Sequence, residues 1–148
     1  LGVVRAGDRL AGARVPGRLG DDASDRGAVS VRLPGAAGLG RVRERAADEL
    51  DASVEVLDLR SLKPLDEEAL LASAAKTGRV VLVQEAPRTC GYAAELAAIL
   101  AEKALLDLQA PVLRVTGYDV PYPYWTIEDA YMPSVARVVD AARKLLDL

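Results

Sequence analysis

A nearly continuous apolar run, Arg79–Gln84, is the clearest element that the hydrophobic pattern predicts. It is too short for a helix, is rich in β-branched residues and shows no alternation, which is typical of a strand buried on both faces of a parallel sheet. Upstream, Val54–Leu59 predicts a second strand. Between them, Asp66 opens a helix that should end at Gly78, a residue suited to a left-handed cap. Strand, helix and strand within about 30 residues predict one right-handed crossover unit.

The same periodicities predict the remaining elements on both sides of this unit. They are a strand over Val29–Leu33, a charged helix over Arg41–Leu50, a helix from Tyr92 to about Leu106, a strand over Pro111–Val115 and a last helix from Ser134 to about Leu146. The core-facing positions predicted on the last two helices are Leu96, Ile99, Leu100, Ala104, Val135, Val138, Val139, Ala142 and Leu146. Strands that alternate with helices predict an α/β fold of three layers, with helices on both faces of a mainly parallel sheet.

Residues 1–28 differ from the rest because no helical or strand period persists there. Six of the 12 glycines fall in this segment, interleaved with arginines and aspartates. Such a composition predicts a linker or a disordered segment. The predicted division is therefore a linker over residues 1–28 and one α/β domain over residues 29–148.

Composition narrows the class of function. The 148 residues, 51% of them hydrophobic, suit one globular domain, and no apolar run approaches the roughly 20 residues of a membrane span. A net charge of −3 gives no electrostatic footprint for nucleic acid, and the single cysteine and the lack of a visible secretory signal favour a cytoplasmic protein. The chain contains no histidine, which argues against a self-contained site for proton transfer at neutral pH.

A glycine-rich turn suggests an alternative function. Gly35–Gly40 lies between a predicted strand and a helix, and Asp58 ends the next strand about 20 residues later, as in a dinucleotide-binding crossover. The glycine order is the reverse of the usual one, and Pro34 precedes it. The two interpretations are an independent nucleotide-binding module and a simple glycine-rich turn.

Two further stretches follow the predicted central and last strands. Glu85 and Arg88 follow the central strand at the carboxyl edge, where open parallel sheets place their ligands; they predict either a partner contact or a salt link within the loop. Cys90 lacks a histidine to act as its base, which argues against a nucleophile. The segment from Gly117 to Trp125 holds four of the six aromatic residues and two prolines, so it cannot lie within the sheet. We expect a protein-binding surface formed by Glu85, Arg88, Tyr118, Asp119, Tyr122, Tyr124, Trp125, Glu128 and Asp129, the alternative being that the aromatic residues seal the sheet edge.

Three stretches carry a resemblance to a known family. Val54–Asp66, Gln84–Glu95 and Arg114–Pro133 resemble, in the same order, the transketolase C-terminal-like domain in the beta subunit of the thiamine-dependent component of 2-oxoacid dehydrogenase complexes. Two positions depart from the family pattern, because Gln84 stands where histidine is frequent and Cys90 stands where a glycine is usual. Glu85–Pro87 and Gly117–Asp119 are more similar to the branched-chain than to the pyruvate branch.

The resemblance implies an accessory role for this chain. In the family, thiamine diphosphate and its Mg²⁺ belong to the full complex, at the junction of the alpha subunit and the pyrimidine-binding domain of the beta subunit. We therefore expect no catalytic, cofactor-binding or metal-binding residue here, and no activity of the chain alone. The implied partners are the alpha subunit, a second beta subunit and the subunit-binding domain of the acyltransferase core, with neither nucleic acid nor membrane among them.

Overall fold

The computed structural model describes residues 3–6, 27–31, 45, 48–50, 52 and 54–148. The strands are β1 (Val3–Ala6), β2 (Gly27–Val31), β3 (Glu55–Leu57), β4 (Gly78–Pro87) and β5 (Leu113–Gly117). The helices are α1 (Glu67–Thr77), α2 (Tyr92–Lys103), α3 (Glu128–Tyr131) and α4 (Val135–Leu146), with 3₁₀ turns at Leu105–Asp107 and Trp125–Ile127. Arg45 and residues 48–50 are helical, within the predicted helix over Arg41–Leu50.

The sheet is mainly parallel. β2 pairs in parallel with β3 and with β4, and β4 pairs in parallel with β5, which lies at one end of the strand order. β1 is antiparallel to β2, in a register that sets Val3 opposite Val31 and Ala6 opposite Ala28. β1 and the start of β2 fall inside the segment predicted to be a linker. The sequence pattern did not indicate β1, since four residues are too few to establish a period.

The central strand is buried on both faces, as its unbroken apolar run predicts. Val80 and Leu82 pack in one cluster with residues of α1 and α2, whereas Val81 and Val83 pack in another with residues of α4. This alternation follows from the two-residue period of a strand. Helices therefore cover both faces of the sheet, which confirms the predicted three-layer α/β fold.

Helix α1 begins and ends where the sequence predicts. The Asp66 carboxylate accepts a hydrogen bond of 3.0 Å from the Ala69 N–H at the N-terminus. Gly78 has a φ of 67° and its N–H is bonded to the Ala74 carbonyl, which is the left-handed cap that glycine favours.

Several boundaries differ from the predicted ones. β4 continues to Pro87, because β5 pairs with it again at Pro87 and Gly117 after an irregularity beyond Val83, so Glu85 lies in a strand and not in a loop. α2 ends at Lys103 and a 3₁₀ turn follows. On α4, Leu145 is fully buried while Leu146 is only half-buried, which continues the helical stripe of Val138 and Ala142. No helix in the described part of the chain is long and apolar enough to cross a membrane.

Candidate functional site

Two loops meet at the carboxyl edge of the sheet. Because β4 and β5 are parallel, the chain that follows each of them emerges at the same edge. Asp119, in the segment after β5, accepts hydrogen bonds from the Thr89 N–H (2.8 Å) and the Thr89 hydroxyl (2.7 Å) in the loop after β4. The backbone bond first, and then the hydroxyl bond, holds the pKa of Asp119 below its usual value. This carboxylate therefore links the two predicted site segments.

A buried amide fixes the loop after β4. Gln84 is almost completely buried; its Nε2 donates to the Pro87 carbonyl at 2.8 Å, and its Oε1 accepts from the Ala93 N–H of α2 at 2.6 Å. A side chain at Gly91 would collide with the Gln84 amide and with the Pro87 carbonyl. Close approach therefore requires glycine at position 91. Cys90, the departure from the family pattern, has a φ of 57° and is exposed.

We use the term aromatic segment for residues 117–132. One ring in it, Tyr131, is only 4% exposed and forms edge-to-face contacts with Tyr118 and Tyr122, at centroid distances of 6.3 and 5.0 Å. Gly117 makes room for this ring, because an added Cβ would lie 2.5 Å from the Tyr131 hydroxyl and would also meet the Glu85 carbonyl. Tyr131 therefore seals the sheet edge, a role that the alternative interpretation gave to the aromatic residues between Tyr118 and Trp125.

Helix α4 and the short helix α3 fix the segment from two sides. The Arg137 guanidinium lies 4.8 Å from the centre of the Tyr118 ring and donates from Nη2 to the Thr116 carbonyl at 2.6 Å. The Tyr122 hydroxyl donates to the Glu128 carboxylate, and this bond raises the pKa of Tyr122 to about 12. The backbone of the aromatic segment is consequently held at several points although much of it is irregular.

The tip of the aromatic segment is exposed. Tyr124 is 87% exposed and Trp125 is 83% exposed, and Ile127 and Val120 are exposed beside them. Trp125–Ile127 forms the 3₁₀ turn that leads into α3. Single exposed apolar residues are ordinary in proteins, whereas several large ones close together in the sequence form a candidate interaction site.

The other predicted site residues have definite positions. Arg88 makes no ion pair with Glu85; it donates to the Arg114 carbonyl at 3.2 Å, so the predicted salt link within the loop is wrong. Glu85 and Glu128 are half-buried, whereas Asp129 is exposed.

The alternative function, nucleotide binding, depends on Asp58 and on Gly35–Gly40. The Asp58 carboxylate accepts a hydrogen bond of 3.1 Å from the Arg60 N–H, and Gly35–Gly40 lies outside the described residues. The nucleotide-binding hypothesis stays a prediction.

Sequence reasoning missed a second group of exposed apolar side chains, at the end of α2. Leu106 is 98% exposed and Leu105 is exposed beside it, next to an apolar recess of about 460 Å³ formed with Leu108 and Pro111. Both leucines fall off the buried stripe of Leu96, Leu100 and Ala104. That departure from the helical period was the available signal.

A metal site built from protein side chains would be marked by clustered ligands. Mg²⁺ takes oxygen ligands, mostly from carboxylates and phosphates. The part of the chain that the structure describes contains no group of three or more acidic or cysteine side chains able to hold a metal ion. The expectation that this chain holds neither thiamine diphosphate nor Mg²⁺ stays a prediction.

Comparison with known proteins identifies the family. The sequence model of the transketolase C-terminal domain matches residues 41–138, which include β4 with the buried Gln84 amide, β5 and the aromatic segment. The chain belongs to the transketolase C-terminal domain family. A solved split gene transketolase, described as an inactive beta4 tetramer, superimposes with a TM-score of 0.58 and 29% identity, over 80% of this chain and 38% of that one.

Curated relatives of this transketolase C-terminal domain share more of its sequence. The 2-oxoisovalerate dehydrogenase subunit beta of Pseudomonas aeruginosa is 48% identical over 107 residues, 72% of this chain and 30% of the relative. The pyruvate dehydrogenase E1 component subunit beta of Staphylococcus epidermidis is 44% identical over 106 residues, 70% of this chain and 33% of the relative. The 3-methyl-2-oxobutanoate dehydrogenase subunit beta of Mycobacterium tuberculosis is 44% identical over 103 residues, 70% of this chain and 30% of the relative. These findings confirm the resemblance stated from the sequence, and the chain spans about a third of the length of these relatives.

Proposed function

We propose that this chain is the C-terminal domain of a 2-oxoacid dehydrogenase beta subunit and that its role there is to hold subunits together. The names and identities of the curated relatives support the kind of enzyme. The complex would decarboxylate 2-oxoacids oxidatively, with thiamine diphosphate and Mg²⁺ bound outside the described residues. The relative with 48% identity acts on the branched-chain side by its name, in line with the branched-chain lean of Glu85–Pro87 and Gly117–Asp119.

The observation that carries this proposal is the exposed tip of the aromatic segment. Tyr124 and Trp125 have no aromatic partner or side-chain hydrogen bond among the described residues, yet the backbone beneath them is held by Tyr131, Arg137 and Asp119. Tyrosine and tryptophan give a large contact area for little loss of side-chain entropy. A backbone that is already fixed loses little conformational entropy on binding, which lowers the free-energy cost of association further.

Charge around the tip indicates the chemistry of the partner. Asp129 is exposed and Glu128 is half-buried beside it, while Asp119 is already bonded to Thr89. An acidic rim around exposed aromatic side chains suits a basic partner surface. We propose the subunit-binding domain of the acyltransferase core as that partner, with a second beta subunit as the competing one and the alpha subunit at another face.

In the isolated chain, where the core partner is absent, association of the chain with itself is the competing use of the tip and can be tested with Trp125→Ala. We expect wild-type chain to form a concentration-dependent assembly in sedimentation velocity and Trp125→Ala to weaken it about tenfold or more, the size of a central aromatic contact. Thermal unfolding should be almost unchanged, because the side chain packs on little of its own chain.

Leu106→Ala is the matched control, since it also removes an exposed apolar side chain but at the end of α2. It should leave this association intact. If Trp125→Ala unfolds early while association per folded molecule is unchanged, the tip is a structural element and the proposal is wrong. A selective loss in Leu106→Ala would instead place self-association at the end of α2.

A further inference from the structure

The cations of the described chain fall into two groups. Arg45, Lys76, Lys103 and Arg143 form ion pairs with carboxylates at 2.5–3.3 Å, and Arg60 lies 3.9 Å from Asp58. Buried Arg79 donates to the Leu145 carbonyl at 2.6 Å and to the Gln109 side chain. In contrast, Lys63, Arg88, Arg114, Arg137 and Lys144 make no ion pair with any described residue, and the last four of these lie together.

These four unpaired cations line one recess of about 310 Å³, which we call the basic recess. It lies between the edge strand β5, the loop after β4 and one side of helix α4. The single carboxylate in its lining, Asp140, accepts a bond of 2.7 Å from Arg143, which is not part of the lining. Four cations around one carboxylate give the lining a net charge of three positive.

The arginines in the recess are held in place largely by uncharged groups, although the Arg88 charge also helps to lower the pKa of nearby Asp119, which does not line the recess. Arg88 donates from Nη1 to the Arg114 carbonyl at 3.2 Å, and Arg114 donates from Nη1 to the Arg88 carbonyl at 3.2 Å. A guanidinium has five N–H donors, so each retains donors beyond this exchange. Arg137 is fixed by the Thr116 carbonyl and by the ring of Tyr118. Holding like charges close together is unfavourable, and an anion between them would relieve the repulsion.

We propose that the basic recess binds a compact phosphate-bearing anion. Charged donors reach the recess from three elements, and a tetrahedral group presents its oxygens in several directions, whereas a carboxylate presents two in one plane. The volume admits a ligand larger than one phosphate group. This inference does not depend on the proposed function, because the recess is built from β5, α4 and the loop after β4 and not from the exposed tip of the aromatic segment.

The test titrates the full chain with inorganic phosphate and inorganic pyrophosphate by calorimetry at fixed ionic strength. We expect saturable binding at one site, tighter for pyrophosphate. Lys144→Gln should weaken pyrophosphate binding about tenfold, the effect of one charge-assisted contact. Arg114→Gln should weaken it at least as much.

Lys103→Gln is the matched control, because it removes one exposed cation on α2, which packs against the other face of the sheet. It should bind pyrophosphate as wild type does. Binding that does not saturate, or an equal loss in Lys103→Gln and Lys144→Gln, would show nonspecific attraction and overturn the proposal. Citrate binding as tightly as pyrophosphate would overturn the assignment to phosphate.

Discussion

The aromatic segment consists of two parts that differ in how far their aromatic side chains are packed against the domain. In the anchored part, Tyr131 is buried against Gly117 and contacts the rings of Tyr118 and Tyr122. In the exposed part, Tyr124 and Trp125 face solvent. Both parts contain tyrosine, and all of these residues lie within 15 positions of the sequence. Residue type alone therefore does not separate an aromatic side chain that stabilises the domain from one that is available to a partner.

The largest difference between the two parts should be in stability. Tyr131→Ala removes a buried ring and leaves a cavity at the sheet edge, so the free energy of unfolding should fall by about 3 kcal/mol. Tyr124→Ala should change it by less than about 0.5 kcal/mol, as expected of an exposed site. Urea unfolding of both variants measures the contrast.

Tyr131→Phe serves as the control for this contrast because it keeps the ring in place. It should unfold close to wild type. Equal losses for Tyr131→Ala and Tyr124→Ala would remove the distinction between the anchored and the exposed part.

A smaller effect is expected from adding a single methyl group to the anchored part. Gly117→Ala places a Cβ against the Tyr131 ring and the Glu85 carbonyl, which should lower the free energy of unfolding by about 1–3 kcal/mol. Combining it with Tyr131→Ala should lower stability by less than the sum of the two single changes, since one of the two collisions is already gone. Strict additivity in urea unfolding would show that the ring and the glycine are not coupled.

The smallest effect concerns the link between the two loops. The folded-state pKa of Asp119 lies below 3.8. The stability that its carboxylate adds to the folded state is therefore present above pH 3.8 and is lost as the pH falls through the folded-state pKa. The amide signal of Thr89 in NMR spectra should therefore titrate with a midpoint below 3.8. This titration should disappear in Asp119→Asn. A midpoint at or above 3.8 in the wild-type chain would mean that Asp119 is not held by Thr89.

The fold was predictable to a large extent because its central strand leaves little choice. An apolar run such as Val80–Val83 is shielded from water only if other elements pack on both faces of the strand. Asp66 and Gly78 fix the two ends of the preceding helix by local hydrogen bonds. The sequence did not predict β1. Its stability depends on pairing with β2, which begins only at Gly27, and not on a pattern within β1 itself.

The candidate site was predictable only in position. Prolines at 121 and 123 indicate irregular backbone, and irregular backbone has no period from which inward and outward side chains could be assigned. Tyr131 was therefore not separated from Tyr124. The basic recess was missed for another reason, since Arg88, Arg114 and Lys144 come from three distant stretches that only the fold brings together.

The Gln84 amide has a consequence for how assembly could be controlled. It joins the sheet to α2 with a group that does not titrate, and the chain as a whole has no histidine. Of the described groups whose pKa is clearly displaced, the carboxyls Asp58 and Asp119 move down, and Lys103 and Tyr122 move up, all away from neutrality. Side chains other than histidine rarely change charge between about pH 5 and 8. Acidification within that range would therefore leave the Gln84 link between β4 and α2 intact, so a pH change could not release the loop after β4 through this link.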